Sequence, residues 1–350
     1  MDQFDTVIVG AGQAGLAAAY YCKQRHLRFT IIDSAKKIGD SWRYRYDKLV
    51  LFTPRYRNSL PGLQFPGNPR GYPSKDEVAS YLESYADLFK FPVQFETRVL
   101  RLEKYEGTFT ITTDRGKLDS STVVIATGAF QKPYIPEVSR TARVIPEIHS
   151  SHYKNASQIP NGDVLVVGSG NSAAQIAVDL SISHNVALSV NKKLHFVSNR
   201  RNDVIMSVLE GLKILSAPFN SLRGKLLRQL SFNPIVGKEL QKLISAHRII
   251  LREEVVTIND DGVTFRDGST LTPTHIIWAT GFKPDMRWIA IDGAVNTAGA
   301  PTHHSGISPV GGLYYVGQRW QRSVKSELMW GVSADADVVV TALSEYLDRS

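Results

Sequence analysis

The chain has 350 residues, of which 43% are hydrophobic and 21% are charged, a balance that excludes a disordered or fibrous protein and leaves room for two or three domains. A single cysteine, Cys22, excludes a disulfide framework and a Cys-x-x-Cys relay and favours a reducing compartment. The uncharged stretch 6–22 follows Asp2 and Asp5 and contains glycines, unlike a signal sequence. Since no apolar run reaches the roughly 20 residues of a membrane span, we expect a cytoplasmic protein.

The formal net charge of +8 comes largely from residues 200–252, where ten Lys/Arg and three Asp/Glu give +7. A basic surface attracts anionic lipid, nucleic acid or a phosphate-bearing cofactor, although a solvated helical face explains the same charge. The sequence has no nucleic-acid-binding motif, so we expect no nucleic-acid partner. Apolar residues at helical spacing in 204–215 could contact an anionic membrane; packing on the chain's own domain or on a second subunit, as in a homodimer, explains them more simply.

The chain begins with a strand–turn–helix–strand pattern. Residues 5–9 form a short apolar run, 10–15 a glycine-rich turn, 16–24 an alanine-rich helix and 27–32 a second strand. The turn has the Gly-x-Gly-x-x-Gly spacing that brings a backbone close to a diphosphate at a helix N-terminus. The acidic residue after the second strand is placed for ribose hydroxyls. The residues expected at this first dinucleotide are Gly10, Gly12, Gln13, Ala14, Gly15, Asp33 and Ser34.

The same pattern returns 158 residues later, with a strand at 163–167, a turn at 168–173, a helix to residue 180 and a strand at 186–190. Ala173 is the third small residue of this turn, which the motif permits. The second strand ends in Asn191, Lys192 and Lys193 rather than in a carboxylate. Because lysines attract a 2′-phosphate, we expect NADPH, with NADH as the alternative.

Each half also contains a meander and a buried strand that ends in Ala-Thr-Gly, at 126–128 and at 279–281. Glycine at the carboxyl end of a parallel strand allows close approach to a ligand. The second site is therefore expected to contain Gly168, Gly170, Asn171, Ser172, Asn191, Lys192, Lys193, Thr280 and Gly281. Residues 312–317 and the helix to about 347 lack a unit of their own and are expected to complete the first domain.

These patterns predict an α/β fold of two Rossmann-like, three-layer dinucleotide-binding domains. We expect the first domain to comprise residues 1–155 and 295–350, with the second, 156–294, inserted in it. Residues 39–47 are rich in aromatic and cationic groups. Trp42 offers a face for a flavin ring, and Arg43 or Arg45 could stabilise negative charge on the reduced ring; the alternative is that they serve the core. The spacing of His149 and His152 gives no metal site.

In the order of its motifs, the chain resembles the flavin-containing monooxygenases, the single-chain class B enzymes, and most closely their small bacterial, YUCCA-like and CzcO-like branch. The resemblance covers nearly the whole chain. The family motif Phe-x-Gly-x-x-x-His is represented by His149 alone, with Arg143 and Ile145 at the Phe and Gly positions. The other matching pieces are 10–15, Gly39 with 42–43 and 46–47, 60–62, 72–73, 126–128 with Pro133, 149–153, 168–172, 279–282 and 312–314.

The resemblance implies that NADPH reduces FAD and that O2 adds to the reduced flavin as a C4a-(hydro)peroxyflavin, which oxygenates a nitrogen, a sulfur or a ketone of a small molecule. No catalytic side chain is assigned. The expected flavin surroundings are Trp42, Thr53, Gln318, Trp320 and Lys325, with Val99, Thr127, Gly128 and Gly317 at the FAD. The alternatives are an NAD(P)H-dependent flavin reductase or oxidase that passes electrons to a quinone, a metal or O2, and a non-enzymatic nucleotide sensor.

Overall fold

The computed structural model describes residues 4–141, 145–218, 221–229 and 234–349. In chain order, the strands are β1 (Phe4–Val9), β2 (Phe29–Ile32), β3 (Val93–Gln94), β4 (Val99–Tyr105), β5 (Thr108–Thr113), β6 (Gly116–Ile125), β7 (Lys132–Pro133), β8 (Ser139–Arg140), β9 (Glu147–His149), β10 (Asp163–Val167), β11 (Asn185–Ser189), β12 (Phe196–Val197), β13 (Ile235–Val236), β14 (Ile249–Arg252), β15 (Val255–Asn259), β16 (Gly262–Phe265), β17 (Thr270–Leu271), β18 (His275–Trp278), β19 (Phe282–Lys283) and β20 (Leu313–Tyr315). The helices are α1 (Gln13–Gln24), α2 (Asp40–Arg43), α3 (Lys75–Phe89), α4 (Asn171–Leu180), α5 (Asn199–Gly211), α6 (Leu222–Gln229), α7 (Glu239–Ser245) and α8 (Met329–Leu347), with 3₁₀ turns at Arg55–Arg57 and Ala156–Gln158.

The first sheet has the strand order β3-β2-β1-β6-β5-β4, and β20 also pairs with β6. Strands β3, β2, β1, β6 and β20 are parallel, whereas β4, β5 and the first half of β6 form an antiparallel meander. One face is covered by α1 and α8, which pack on each other. The short side chains of Ala17, Ala18 and Ala19 are fully buried and let these helices approach closely. The returning strand and helix therefore belong with this sheet, as the sequence predicts.

The second sheet is entirely parallel, in the order β14-β11-β10-β18-β9. Its inner strands are almost continuously apolar, as expected for strands that are buried on both faces. Helices α4 and α7 pack on one face, and β15, β16, β17 and β8 form a smaller sheet whose apolar side chains cover the other. The predicted class, two Rossmann-like α/β units, is confirmed. The residue limits of the two domains stay a prediction.

The two halves differ in how the meander reaches the Ala-Thr-Gly turn. In the first half, β6 is one continuous strand that leaves the meander and enters the parallel core. In the second half, β17 ends at Leu271 and β18 begins at His275. Pro273 lies between them, and proline lacks the N–H that a continuous ladder requires. The sequence predicts equivalent meanders, and this proline is the physical reason for the difference.

Helix α5 carries the apolar spacing that the sequence shows in 204–215. Val204 and Val208 are exposed on it, as is Leu212 at its end, whereas Leu215 is buried. Another face of α5 is held by Arg57, whose guanidinium contacts three positions of the helix. The side chain of Arg228, one of the basic residues that follow, lies outside the described residues. No helix in the described part of the chain combines the length and the apolar character of a bilayer span.

Candidate functional site

The first phosphate cradle lies between β1 and α1. Gly10 has a positive φ of 108°, and a Cβ there would lie 2.7 Å from the Ala126 carbonyl oxygen. A Cβ at Gly15 would lie 1.8 Å from the Gly10 carbonyl oxygen, so this glycine lets α1 pack against the turn. A Cβ at Gly12, the N-cap of α1, would meet nothing within 4 Å. Packing therefore explains Gly10 and Gly15, while Gly12 faces open space into which a diphosphate fits.

Asp33 follows β2 and is held by two backbone amides at the edge of this cradle. Its Oδ2 accepts a hydrogen bond from Ala11 N at 2.6 Å, and its Oδ1 accepts one from Ala35 N at 2.7 Å. A carboxylate oxygen has more than one lone pair, so both oxygens can still accept from ribose hydroxyls. Asp33 and the neighbouring Ser34 both line the cavity described below. The geometry fits the ribose role that the sequence predicts.

The second phosphate cradle repeats the first between β10 and α4. A Cβ at Gly168 would lie 2.4 Å from the Ala279 carbonyl oxygen, and one at Gly170, the N-cap of α4, would meet nothing within 4 Å. The side chain of Asn171 is used by the fold, because its Oδ1 accepts from Val236 N at 2.9 Å. This cradle, too, has its open glycine at a helix N-terminus, where a diphosphate fits.

Lys192 and Lys193, the two predicted lysines after β11, lie in different surroundings. Asn191 Oδ1 accepts a hydrogen bond from Ser169 Oγ at 2.9 Å, which ties the segment after β11 to the second cradle. Lys192 is exposed and lines the cavity, whereas Lys193 is exposed and lies outside its wall. A 2′-phosphate bound at this edge would therefore meet Lys192 first.

The two Ala-Thr-Gly turns lie opposite each other at the carboxyl ends of β6 and β18. Gly128 and Gly281 have φ values of 74° and 85°, and a Cβ at either would meet nothing within 4 Å. The phenylalanines that follow the turns, Phe130 and Phe282, make an edge-to-face contact with their ring centroids 5.5 Å apart. Both turns therefore open onto the same space, where the reactive ends of two dinucleotides can meet.

His149, the remaining residue of the family motif, supports the second turn. Its Nε2 lies 2.9 Å from the Gly281 carbonyl oxygen and its Nδ1 lies 3.0 Å from Ser151 Oγ. Burial lowers the pKa of His149, so the ring is neutral at pH 7 and donates its Nε2 hydrogen to Gly281. Arg143 lies outside the described residues, and Ile145 is buried in the core beneath the smaller sheet.

One cavity of about 1230 Å³ connects the two cradles. Its volume exceeds the roughly 300–1,000 Å³ of a pocket for one drug-sized ligand, as a site for two dinucleotides should. The residues predicted from the sequence that line it are Gly10, Gly12, Gln13, Ala14, Asp33, Ser34, Trp42, Thr53, Val99, Thr127, Gly128, Gly168, Gly170, Asn171, Ser172, Asn191, Lys192, Thr280, Gly281 and Gly317.

The structure does not bring Gly15, Lys193, Gln318, Trp320 or Lys325 to this cavity wall. Gln318 is buried behind Gly317, and its backbone N–H donates to Gln321 Oε1. Lys325 Nζ instead pairs with Glu210 Oε1 at 3.1 Å. Gln318, Trp320 and Lys325 follow the end of β20 in sequence, but the chain leaves the cavity wall after Gly317 and returns to it only at Glu327.

Two arginines of the segment 39–47 have different roles. Arg43 binds Glu83 at 2.5 Å and the Ile38 carbonyl oxygen, and it lies outside the cavity wall. Arg45 lines the cavity beside Phe130 and Phe282. The spacing of the two residues in the sequence does not distinguish them.

Glu327 is a cavity residue that the sequence does not single out. It lies just before α8, its backbone carbonyl accepts from Gln13 Nε2 at 3.3 Å, and Arg319 Nε lies 3.8 Å from its Oε1. Burial raises the pKa of the Glu327 carboxyl, and the charge of Arg319 opposes that effect. No local motif marks this residue, because its position depends on the contact between α8 and the first cradle.

Two phosphate cradles that open onto one cavity define a two-dinucleotide oxidoreductase. The model of the family described as pyridine nucleotide-disulphide oxidoreductase matches residues 7–210. An uncharacterized CzcO-like oxidoreductase of Geobacillus kaustophilus is 43% identical over 96% of this chain and 97% of its own length. A probable indole-3-pyruvate monooxygenase, YUCCA4 of Arabidopsis thaliana, is 30% identical over 89% of this chain and 84% of its own.

The fold agrees with these relatives. The solved structure of a flavin-containing monooxygenase from Stenotrophomonas maltophilia superposes with a TM-score of 0.83 over 99% of this chain and 100% of its own, at 24% identity. The chain belongs to the pyridine nucleotide-disulphide oxidoreductase family and, within it, to the branch of the flavin-containing monooxygenases. It is an NAD(P)H-dependent flavoprotein oxidoreductase whose cofactors are FAD and NADPH.

Proposed function

We propose that the protein is a monooxygenase that uses NADPH and O2 to oxygenate a small molecule at a nitrogen, a sulfur or a ketone. The observation that carries the proposal is the single cavity that joins both cradles at the two Ala-Thr-Gly turns. Within it, FAD at the first cradle would supply the redox chemistry, and NADPH at the second would supply the electrons. The chain's own residues bind and orient the two cofactors and shield the junction from water.

The cysteine content favours a small molecule, rather than a disulfide of the chain itself, as the acceptor of the electrons from the flavin. The chain has one cysteine, Cys22, which is buried in α1 among the apolar side chains of the first domain core. Burial raises the pKa of its thiol to about 12, so it is a poor nucleophile at neutral pH. A dithiol relay is therefore absent, and electrons from the flavin must pass to a molecule that enters the cavity.

Binding contributions are assigned to four groups. The open faces of Gly12 and Gly170 let the two diphosphates approach backbone N–H groups, and Asp33 accepts hydrogen bonds from the FAD ribose. Lys192 takes the 2′-phosphate of NADPH at the exposed edge. Trp42 and Thr53 line the cavity on the side of the first domain, where the flavin ring would lie.

The test is to measure NADPH oxidation, O2 uptake, hydrogen peroxide and product together in the FAD-loaded protein. Candidate substrates are amines, thioethers and ketones, with indole-3-pyruvate included because YUCCA relatives carry that name. The proposal expects one substrate class to give product in step with NADPH, with the oxygen label of ¹⁸O2 in the product. Recovery of all electrons as hydrogen peroxide, or as a reduced quinone or metal, would instead establish an oxidase or a reductase.

A further inference from the structure

Arg45 is a cation at the junction of the two dinucleotide sites. Its Cζ lies 5.4 Å from the ring centroid of Phe130 and 5.3 Å from that of Phe282. Each phenylalanine follows one of the two Ala-Thr-Gly turns, so the guanidinium lies beside both turns. Contact with two aromatic rings restricts the position of the guanidinium plane without neutralising its charge.

Arg45 has no carboxylate partner in the described part of the chain. Its Nε donates to the Ser41 carbonyl oxygen at 3.3 Å, and among the described residues its terminal nitrogens have no hydrogen-bond acceptor. The side chain is nevertheless half-buried, and this burial lowers the pKa of Arg45. A buried cation without a counter-ion is costly, so native structures normally pair it. Because the guanidinium lines the cavity, a ligand there can supply the missing negative charge.

The other cations in the cavity wall differ from Arg45. Lys37, Arg98 and Lys192 are all exposed, and Lys37 lies 3.9 Å from Glu83. Lys37 and Lys192 follow β2 and β11, the second strands of the two fingerprints, where the adenosine ends of the dinucleotides are expected. Arg45 is half-buried and lies beside the two Ala-Thr-Gly turns.

We propose that Arg45 binds a pair of anionic oxygens on a ligand at the junction of the two sites, either the carboxylate of the substrate or the diphosphate of NADPH. A guanidinium offers two parallel N–H donors that match either group, and contact with the two phenylalanine rings restricts the position of that fork. If the anionic group belongs to the substrate, Arg45 selects a carboxylate-bearing molecule. That assignment rests on the proposed oxygenase function, whereas the binding of an anion does not.

The experiment compares ligand binding in the FAD-loaded wild type, Arg45→Gln and Arg45→Lys. NADP⁺ affinity is followed through the flavin absorbance, and benzoate and its neutral isostere benzamide are tested as inhibitors of NADPH oxidation. Loss of a charged, two-donor contact should weaken the affected ligand about tenfold in Arg45→Gln. Weaker binding of NADP⁺ identifies the diphosphate of the coenzyme as the group that Arg45 binds. Weakened benzoate inhibition, with benzamide unchanged, identifies a carboxylate-bearing substrate.

Arg45→Lys and one control variant make the result decisive. Arg45→Lys keeps the charge but not the two-donor fork, so its affinity for the ligand should fall about threefold. It replaces Arg45→Gln if that variant does not retain FAD. Arg101→Gln removes an exposed cation on β4 that pairs with Glu103, and it should change neither affinity. The proposal is overturned if both ligands bind the folded Arg45 variants within about twofold of wild type. These measurements require no product, so they remain valid if the oxygenase proposal fails.

Discussion

The two phosphate cradles share a backbone arrangement but differ in the residues around it. In both, the first glycine packs against the carbonyl of an Ala-Thr-Gly turn, and the second faces open space at a helix N-terminus. They differ at the third position, Gly15 against Ala173, and after the second strand, Asp33 against Asn191. The shared part follows from the geometry of a diphosphate, and the differing part from helix packing and from the sugar that each cradle binds. Four pairs of substitutions test this division.

The largest effect is expected at the third position. Gly15→Ala would place a Cβ 1.8 Å from the Gly10 carbonyl oxygen, so α1 must move away from the turn. We expect a loss of about 3 kcal/mol in the free energy of unfolding, together with loss of bound FAD. Chemical denaturation and the flavin-to-protein absorbance ratio measure these. The matched change Ala173→Gly should cost only about 1 kcal/mol and leave FAD bound, so equal losses in both would contradict the account.

The open glycines should affect binding without affecting folding. A Cβ at Gly12 or Gly170 meets no protein atom but occupies space that a diphosphate requires. Gly12→Ala should weaken FAD at least about 30-fold, while Gly170→Ala should raise the KM for NADPH to a similar degree and retain FAD. Flavin titration and steady-state kinetics distinguish the two. If either variant weakened both cofactors equally, the two cradles would not serve separate ligands.

Substitutions of the residues after the second strands should change how each cradle recognises the ribose of its dinucleotide. Asp33→Asn removes the charge that we propose contacts the FAD ribose, and we expect about tenfold weaker FAD binding. Asn191→Asp places a carboxylate near the proposed 2′-phosphate site and should lower kcat/KM for NADPH about tenfold relative to NADH. The readout is the ratio of kcat/KM for NADPH to kcat/KM for NADH, because a general loss of activity leaves this ratio unchanged. An unchanged ratio in Asn191→Asp would remove this segment from the 2′-phosphate site.

The smallest effect is expected at the paired lysines. Lys192 lines the cavity and Lys193 does not, although both are exposed. Lys192→Gln should raise the KM for NADPH about threefold, since an exposed charge contact contributes at most about 1 kcal/mol. Lys193→Gln should leave that KM unchanged and serves as the control for net charge. A larger effect in Lys193→Gln than in Lys192→Gln would reverse the assignment.

Local motifs in the sequence predicted most of what the two cradles share. The glycine spacing, Asp33 and the Ala-Thr-Gly turns each depend on a few neighbouring residues, and the strand–turn–helix context that the motif needs is readable from periodicity. The interruption between β17 and β18 was also available in principle, because Pro273 is visible in the sequence. The matching segments of the two halves by themselves predict equivalent meanders, and the proline is what distinguishes them.

What the sequence could not predict depends on contacts between distant segments. Arg45 meets Phe130 and Phe282, residues that come from three separate parts of the chain. The position of Glu327 depends on where α8 returns to the first cradle. Lys192 and Lys193 are chemically identical, and only the direction of the segment after β11 places one of them in the cavity wall. Such positions are decided by tertiary packing, which local propensity does not encode.

The central claim is that two separate cradles hold FAD and NADPH with their reactive ends at one junction. Anaerobic titration of the FAD-loaded protein with NADPH tests it most directly, followed by the flavin absorbance band. The account predicts that a single equivalent of NADPH bleaches the flavin, and that Gly170→Ala needs a higher NADPH concentration for the same bleaching. A protein that stays colourless after incubation with FAD, or whose flavin NADPH fails to reduce, would contradict the account.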